Sequence, residues 1–444
     1  MMKLWTLLFS LFAVRVYCVA DTDSLSHRPD FPDSTLHVRS ILCTGNEVTK
    51  EHIILKEMSL KEGVLLTHEA LDYDINRIYS LQLFNKVDII VVPADSVADL
   101  IVMVDERWFF YPYPIAGLKD HSWSKLYYGL GVAHTNVGGI NVQMYGQGVI
   151  GYDPFASLTY ANPLFVRDFN VYLTAHVQYA VTRNKSVISQ GTGSNFDEER
   201  FGFDVTLGKR LTLYSRVYVT AEYAQISVTN NIAGRTMSAD GTDRFPAVSL
   251  GYRYDTRDLM EYPRYGTFLN LAASKIGMPG EAVDYERYTM DFRRFLVAGE
   301  YAGFAGRLFG SIADGGTVPN YAHAYLGYAD KIRGHFNTTI EGDNIAGATV
   351  ELHVPVISPQ YIRFEQVPIE QFRTMRYAVY AALFADAGNV WYRREPFRIN
   401  RTIAGFGVGL HCLISYSMVV RFEYAVDAQS LQHREFILDL GAAL

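Results

Sequence analysis

From residue 125 to the end of this 444-residue chain, apolar and polar side chains alternate with period two, and no apolar run reaches the length of a membrane-spanning helix. In Lys125–His134, Leu126, Tyr128, Leu130 and Val132 share one face. In Leu211–Tyr223, Leu211, Leu213, Val217 and Val219 oppose Thr212, Tyr214, Arg216, Tyr218 and Glu222. In Ser417–Val426, Met418, Val420, Phe422, Tyr424 and Val426 oppose Ser417, Arg421 and Glu423. Successive strand side chains point to opposite faces, so each segment makes a ribbon that is apolar on one side and charged on the other. A lipid-facing wall around a polar lumen has this pattern, and so does a soluble two-sheet sandwich. The number of such segments and an N-terminal secretory signal favour the membrane. Hydrocarbon holds no water for open sheet edges, so the wall must close on itself. At roughly 9–11 residues per strand plus turns, the expected fold is an all-β transmembrane barrel of about 16 antiparallel strands.

Residues 1–20 read as the signal peptide: Lys3, an apolar Leu4–Val14 run too short to span a bilayer, and small residues at Cys18-Val19-Ala20 before Asp21. Arg15 leaves the cleavage position open. Loss of Lys3 and Arg15 takes the formal charge from −7 to −9, which disfavours nucleic acid as a partner. Cys18 leaves with the signal, and Cys43 and Cys412 fall in different expected domains, so free thiols are expected. Aromatics make up 14% of residues, with 31 Tyr, which suits a membrane–water boundary and an aromatic-rich soluble β protein about equally.

Ahead of the barrel the period changes. Residues 21–33 are a polar lead-in, and 34–106 read as a small α+β module of order β-α-α-β-β. Leu36–Cys43 is the first strand and Gly45-Asn46 a turn. Thr49 is the expected N-cap of a helix through Ile53, Ile54 and Met58, and Thr67 that of a helix carrying Leu71, Ile75, Ile78 and Leu81. Phe84–Val92 and Leu100–Val104 are the closing strands. The ordered set of Gly45-Asn46, Gly63, Leu81-Gln82-Leu83-Phe84 and Val104-Asp105-Glu106 resembles a polypeptide-transport-associated (POTRA) domain. Arg107–Pro114 reads as a proline-stiffened linker with interfacial aromatics, and 107–444 as the barrel domain.

Four segments of the barrel stand out. These are Tyr254-Asp255-Thr256-Arg257-Asp258 with Pro263-Arg264-Tyr265-Gly266, then Lys331-Ile332-Arg333-Gly334-His335, then Gly347–Pro355, then Phe384-Ala385-Asp386-Ala387-Gly388. Val350, Leu352 and Val354 share the apolar face, so Glu351 points to the lumen. Phe384, Asp386 and Gly388 share a face; if it is inward, Asp386 joins Glu351, and a loop-borne Arg333 can offer its planar fork to both. Spacing alone favours three unrelated surface charges near turns.

Ile332-Arg333-Gly334-His335 resembles the Val-Arg-Gly-aromatic tip of the lid loop in the BamA/TamA-like family of outer-membrane assembly and translocation barrels. Phe384-x-Asp386-x-Gly388 is similar to that family's inner-wall partner motif, and Glu351 falls on its acidic strand position. Asp255, Arg257, Asp258, Pro263 and Gly266 follow the family's hairpin motif, and Ala404–Leu410 its penultimate glycine run. His335 replaces the usual aromatic, Tyr328 stands where a second glycine is common, and the chain ends in Leu444 where an aromatic is usual.

The resemblance implies an outer-membrane location in a Gram-negative bacterium, with the POTRA module in the periplasm. It implies lipid, unfolded or nascent outer-membrane proteins or a secreted client, and periplasmic accessory proteins as partners. Glycines at Gly129 and Gly131 on the expected first strand and Gly441 on the last suggest a weak seam that could offer edges to an incoming strand; relief of crowding in the lumen explains them equally. Phe84–Val92 could accept a client by strand addition, the alternative being that the module only braces the barrel mouth. No nucleophile elbow, His-Glu-x-x-His, phosphate-binding loop or Cys-x-x-Cys occurs, so no catalytic residue, metal or cofactor is expected. Assembly of outer-membrane proteins ranks first, export of one dedicated protein second, a passive porin or surface antigen third.

Overall fold

The computed structural model describes residues 36–119, 123–190, 195–260, 262–298, 302–364, 373–414 and 418–441. The signal, the lead-in and Leu444 lie outside the described residues.

The N-terminal module runs β1 (His37–Thr44), α1 (Glu51–Glu57), α2 (His68–Tyr79), β2 (Phe84–Ala94) and β3 (Val97–Glu106). Its sheet has the order β1-β3-β2, with β1 parallel and β2 antiparallel to β3. Thr67 caps α2, its hydroxyl accepting from the Ala70 N–H at 3.1 Å. The helices bury Ile54 and Ile78 against Leu83 and Leu100 of the sheet side. Asp74 is also buried, accepting from the N–H groups of Ser59 (2.6 Å) and Leu60 (2.9 Å). Burial pushes its carboxyl above the ordinary value, against those bonds. Thr49 does not cap α1. Lys50 takes that position without a side-chain bond. Thr49 is instead drawn toward the barrel: its N–H donates to Glu106 at 2.6 Å and its hydroxyl accepts from Asn136 at 2.9 Å.

The rest of the chain forms a 16-stranded antiparallel sheet. Its strands are β4 (Phe110–Leu118), β5 (Leu126–Val137), β6 (Val142–Gly151), β7 (Phe155–Val166), β8 (Val171–Arg183), β9 (Asp197–Arg210), β10 (Ser215–Val228) and β11 (Thr242–Asp255). They continue as β12 (Gly266–Gly277), β13 (Asp284–Ala298) and β14 (Ala302–Gly315). After a small hairpin, β15 (Ala324–Leu326) and β16 (Ile340–Gly342), come β17 (Asn344–Arg363), β18 (Thr374–Trp391), β19 (Ile403–Ile414), β20 (Met418–Asp427) and β21 (Arg434–Gly441). Neighbours in sequence are neighbours in the wall, β14 joining β17 across the hairpin. The alternation sorts side chains as the pattern demands: Leu383 is 54% exposed on the outside while Phe384, next along the chain, is 5% exposed within. Leu130, Leu250 and Phe436 lie outside in the same way. In water each would forfeit about 1.5–3 kcal/mol of burial energy; in lipid that penalty vanishes.

The first wall strand is β4, a segment whose prolines read as a linker in the sequence. The register explains how it tolerates them. Thr135 N–H donates to the Phe109 carbonyl, so odd-numbered residues of β4 bond to β5. Pro112 and Pro114 therefore turn their missing donors to the outer edge, where no ladder is interrupted. Gly129 and Gly131 accordingly lie on the second strand, not at the edge. Gly131 sits against the Tyr113 ring, where a side chain would collide with it. Among the described residues no register pair joins β4 to β21. Leu211–Tyr214 likewise form a turn, and the strand begins at Ser215.

Among the described residues the module's contacts gather at one end of the barrel. Lys50 N–H donates to the Gly139 carbonyl, Lys56 reaches the Asn170 side chain at 2.6 Å, and Met260 N–H reaches the Ser80 hydroxyl at 3.2 Å. Between them Glu57 holds both Arg77 of α2 (2.7 Å) and Arg210 of β9 (2.5 Å). Burial pushes the Glu57 carboxyl up, but Arg210 and then Arg77 outweigh it and hold it below its ordinary value.

Candidate functional site

The segment between β14 and β17 folds back into the lumen from the end opposite the module. β15 and β16 pair as its stalk, Leu326 facing Ile340. Its tip, Lys331–His335, turns at Gly334, whose φ of +94° suits glycine. Ile332 is 1% exposed and packs in a cluster with Leu326, Phe309, Ile345 and Val390. Gly388 makes room for it: a methyl there would sit 2.9 Å from Ile332 Cδ1. A side chain at Gly405 would collide with the Arg333 carbonyl oxygen.

Arg333 is buried against the wall. Its Nε and Nη2 each donate to Asp386 at 2.7 Å, and its backbone N–H adds a bond to the same carboxylate at 3.1 Å. Nη1 donates to Glu351 and, at 2.8 Å, to Glu423. The guanidinium lies 3.7 Å from the Phe384 ring centroid. One cation thus faces three carboxylates carried by β17, β18 and β20. Each is nearly inaccessible to water. Glu423 was missed as a partner, although the Ser417–Val426 alternation had set it on the charged face. Nothing local ties that strand to a loop 90 residues earlier.

The acids are held in turn by histidines. His353 Nε2 is 2.5 Å from Glu351 Oε2, and His411 Nε2 is 3.1 Å from Glu423 Oε1. His411 Nδ1 meets the Tyr262 hydroxyl at 3.1 Å. Glu351, His353 and His411 bring donor atoms within 4.8 Å of one another, a spacing a metal could use. Glu351 and His353 already bond to each other, and His411 spends its two nitrogens on Glu423 and Tyr262, so these groups form a hydrogen-bond network and no metal is assigned to it.

Tyr262 enters from the module side, on the turn between β11 and β12. It lies 4.5 Å from the Tyr380 ring and 4.9 Å from the His353 ring. That turn contains the hairpin motif. Arg257 grips Asp255 through Nε (2.9 Å) and Nη2 (2.8 Å). Asp258 accepts from the N–H groups of Arg264 (2.9 Å) and Tyr265 (3.3 Å), bridging Pro263, and Gly266 closes the turn. Burial pushes the Asp258 carboxyl up to about 6 despite those bonds.

The tip also reaches the last wall strand. His335 Nε2 lies 3.1 Å from Asp427 Oδ1, and Phe336 N–H donates to Glu435 of β21 at 2.8 Å. Phe336 packs beside Phe384, Ala425 and Ile437. The structure therefore brings together Ile332, Arg333, Gly334, His335, Glu351, Phe384, Asp386 and Gly388. It leaves Gly129 and Gly131 on β5 and Gly441 on β21, opposite Val419 of β20.

Comparison with known proteins matches residues 136–441 to the Omp85 superfamily domain and residues 36–107 to the POTRA model described as a surface antigen variable number repeat. A curated relative, the outer membrane protein assembly factor BamA of Nitratidesulfovibrio vulgaris, is 21% identical over 331 residues, 70% of this chain. The chain spans 40% of that relative's length. Among solved structures, BamA of Haemophilus ducreyi lacking POTRA domains 1–3 superposes with a TM-score of 0.54 at 18% identity, covering 91% of this chain and 83% of the other. CdiB of Escherichia coli gives 0.59 at 12% identity, covering 93% and 77%. At these identities the structural likeness speaks for the fold.

Proposed function

The chain belongs to the Omp85 superfamily, its barrel in the outer membrane of a Gram-negative bacterium and its POTRA module in the periplasm; from that premise we propose that it assembles or inserts other outer-membrane β-barrel proteins. The observation that supports the reading is that, among the described residues, no register pair joins the two terminal wall strands, β4 and β21. Pro112 and Pro114 strip two donors from the free edge of β4 and leave its carbonyls as acceptors. An incoming client strand can add to β21, whose even-numbered residues turn their backbone groups outward, without first breaking a full ladder. The Arg333 loop acts as a lid: its tip braces the inner wall and, through Phe336 and Glu435, β21 itself.

The POTRA module offers a second edge. The outer edge of β1 is occupied by the Gly63–Leu66 segment, whereas β2 is the other terminal strand of its sheet. An extended client added to β2 would be delivered beside the barrel mouth. The test is depletion of the protein followed by outer-membrane proteomics, together with a disulfide pinning β4 to β21. Broad loss of other barrels, reproduced by the pinned form and reversed on reduction, is expected. Loss of one secreted protein alone would replace assembly by export, and full activity in the pinned form would remove the seam from the mechanism.

A further inference from the structure

Three arginines stand side by side on the inner wall near the module. Arg216 on β10 is the register partner of Arg210 on β9 at one flank and of Arg253 on β11 at the other. Like charges directly opposite one another destabilise a sheet. Arg210 is neutralised by Glu57. Arg253 has the Asn270 amide oxygen at 3.3 Å. Arg216, in the middle, has no hydrogen-bond or ion-pair partner among the described residues and lies 5.9 Å from the Tyr172 ring centroid.

The row borders a partly open cavity of about 620 Å³ between POTRA helix α2 and the barrel wall. Five guanidinium groups line it, those of Arg77, Arg210, Arg216, Arg253 and Arg257, against the carboxylates of Glu57 and Asp255. The hydrogen-bonding groups of Gln143, Asn162 and Thr174 lie along the same surface. We infer that this cavity is a binding site for an acidic stretch of polypeptide entering from the periplasm. Its carboxylates answer the uncompensated Arg216 and Arg253, and its backbone meets the amide and hydroxyl groups between them. The charges are spread along a wall rather than gathered at one point, which suits a row of carboxylates better than a single phosphate. The inference rests on the reading that clients pass the module on the way to the barrel.

The test uses the purified full chain in detergent and needs no client insertion, so its failure is separable from failure of the assembly reading. The probe is a short fluorescent peptide of alternating glutamate and threonine, with a glutamine–threonine peptide as control. Saturable binding is expected, weakened by salt, with the control bound roughly tenfold or more weakly. Arg216→Gln should weaken binding of the acidic peptide by a similar factor. Because it relieves like-charge contact, the same variant should melt no lower than the parent without peptide, and the peptide should raise the melting temperature of the parent alone. Equal binding of the two peptides, binding unaffected by Arg216→Gln, or displacement by pyrophosphate at lower concentration than by the peptide would overturn the proposal.

Discussion

Arg333→Gln isolates the electrostatics of the inward-folded loop. The variant removes the positive charge and the fork while keeping a polar side chain. It leaves Glu351, Asp386 and Glu423 facing one another, each at most 4% exposed. Breaking a buried pair by deleting one partner costs about 3–5 kcal/mol, because the remaining charge is uncompensated. At 1.4 kcal/mol per tenfold, that shifts the docked-to-undocked equilibrium by roughly two to three and a half orders of magnitude. The ladders of β17 to β20 are untouched by the change, so the loop loosens while the barrel stays folded. Hydrogen exchange of the detergent-solubilised protein reads this directly. The Arg333 amide, bonded to Asp386, and the His335 amide, bonded to the Ile332 carbonyl, should lose protection, and the amides of β8 and β9 should not. Arg333→Gln combined with Asp386→Asn should cost less than the sum of the single changes by more than about 0.5 kcal/mol, since the second change removes one stranded charge. Unchanged protection at residues 333 and 335, or strict additivity, would refute the reasoning.

Ile332→Ala should cost about 2–5 kcal/mol of loop docking, seen as faster exchange at Leu326 and at residue 332 with the ion network intact. Glu57 has a folded value below the ordinary carboxyl, so its contribution is complete above the unfolded value of about 4.3 and is lost as pH falls through the folded value. Energy transfer between dyes on module and barrel should therefore report undocking on acidification, and Glu57→Gln should undock the module already at neutral pH. Asp258 titrates the other way: its folded value near 6 exceeds the unfolded value of about 3.9, so its contribution is complete below 3.9 and falls as pH rises through 6. Asp258→Asn, which keeps an oxygen to accept from Arg264 and Tyr265, should raise the melting temperature above pH 6 and change it little below pH 4.

Much of the wall is written locally. Side-chain direction in a strand has period two, so Leu126, Leu130, Leu383 and their neighbours declare a lipid face without knowledge of any partner strand. The Thr67 cap and the Leu71–Ile78 stripe declare α2 in the same way. The β4 strand escaped because proline is read as a breaker, and only the register shows that both missing donors face an edge with no described partner. Thr49 escaped because its capping chemistry competes with Glu106 and Asn136, residues of other elements.

By itself, then, the sequence determined the material of this protein: a ribbon greasy on one side and charged on the other, long enough for about 16 crossings, preceded by a small α+β module. Glu351 and Asp386 had their faces set by the same two-residue period. Tertiary structure alone decided that β20 brings Glu423 beside Arg333, that Tyr262 meets His411 from the opposite mouth, and that Arg216 is flanked by two like charges. Those meetings depend on curvature, strand order and stagger, which arise from the wall as a whole and leave no mark on any one segment.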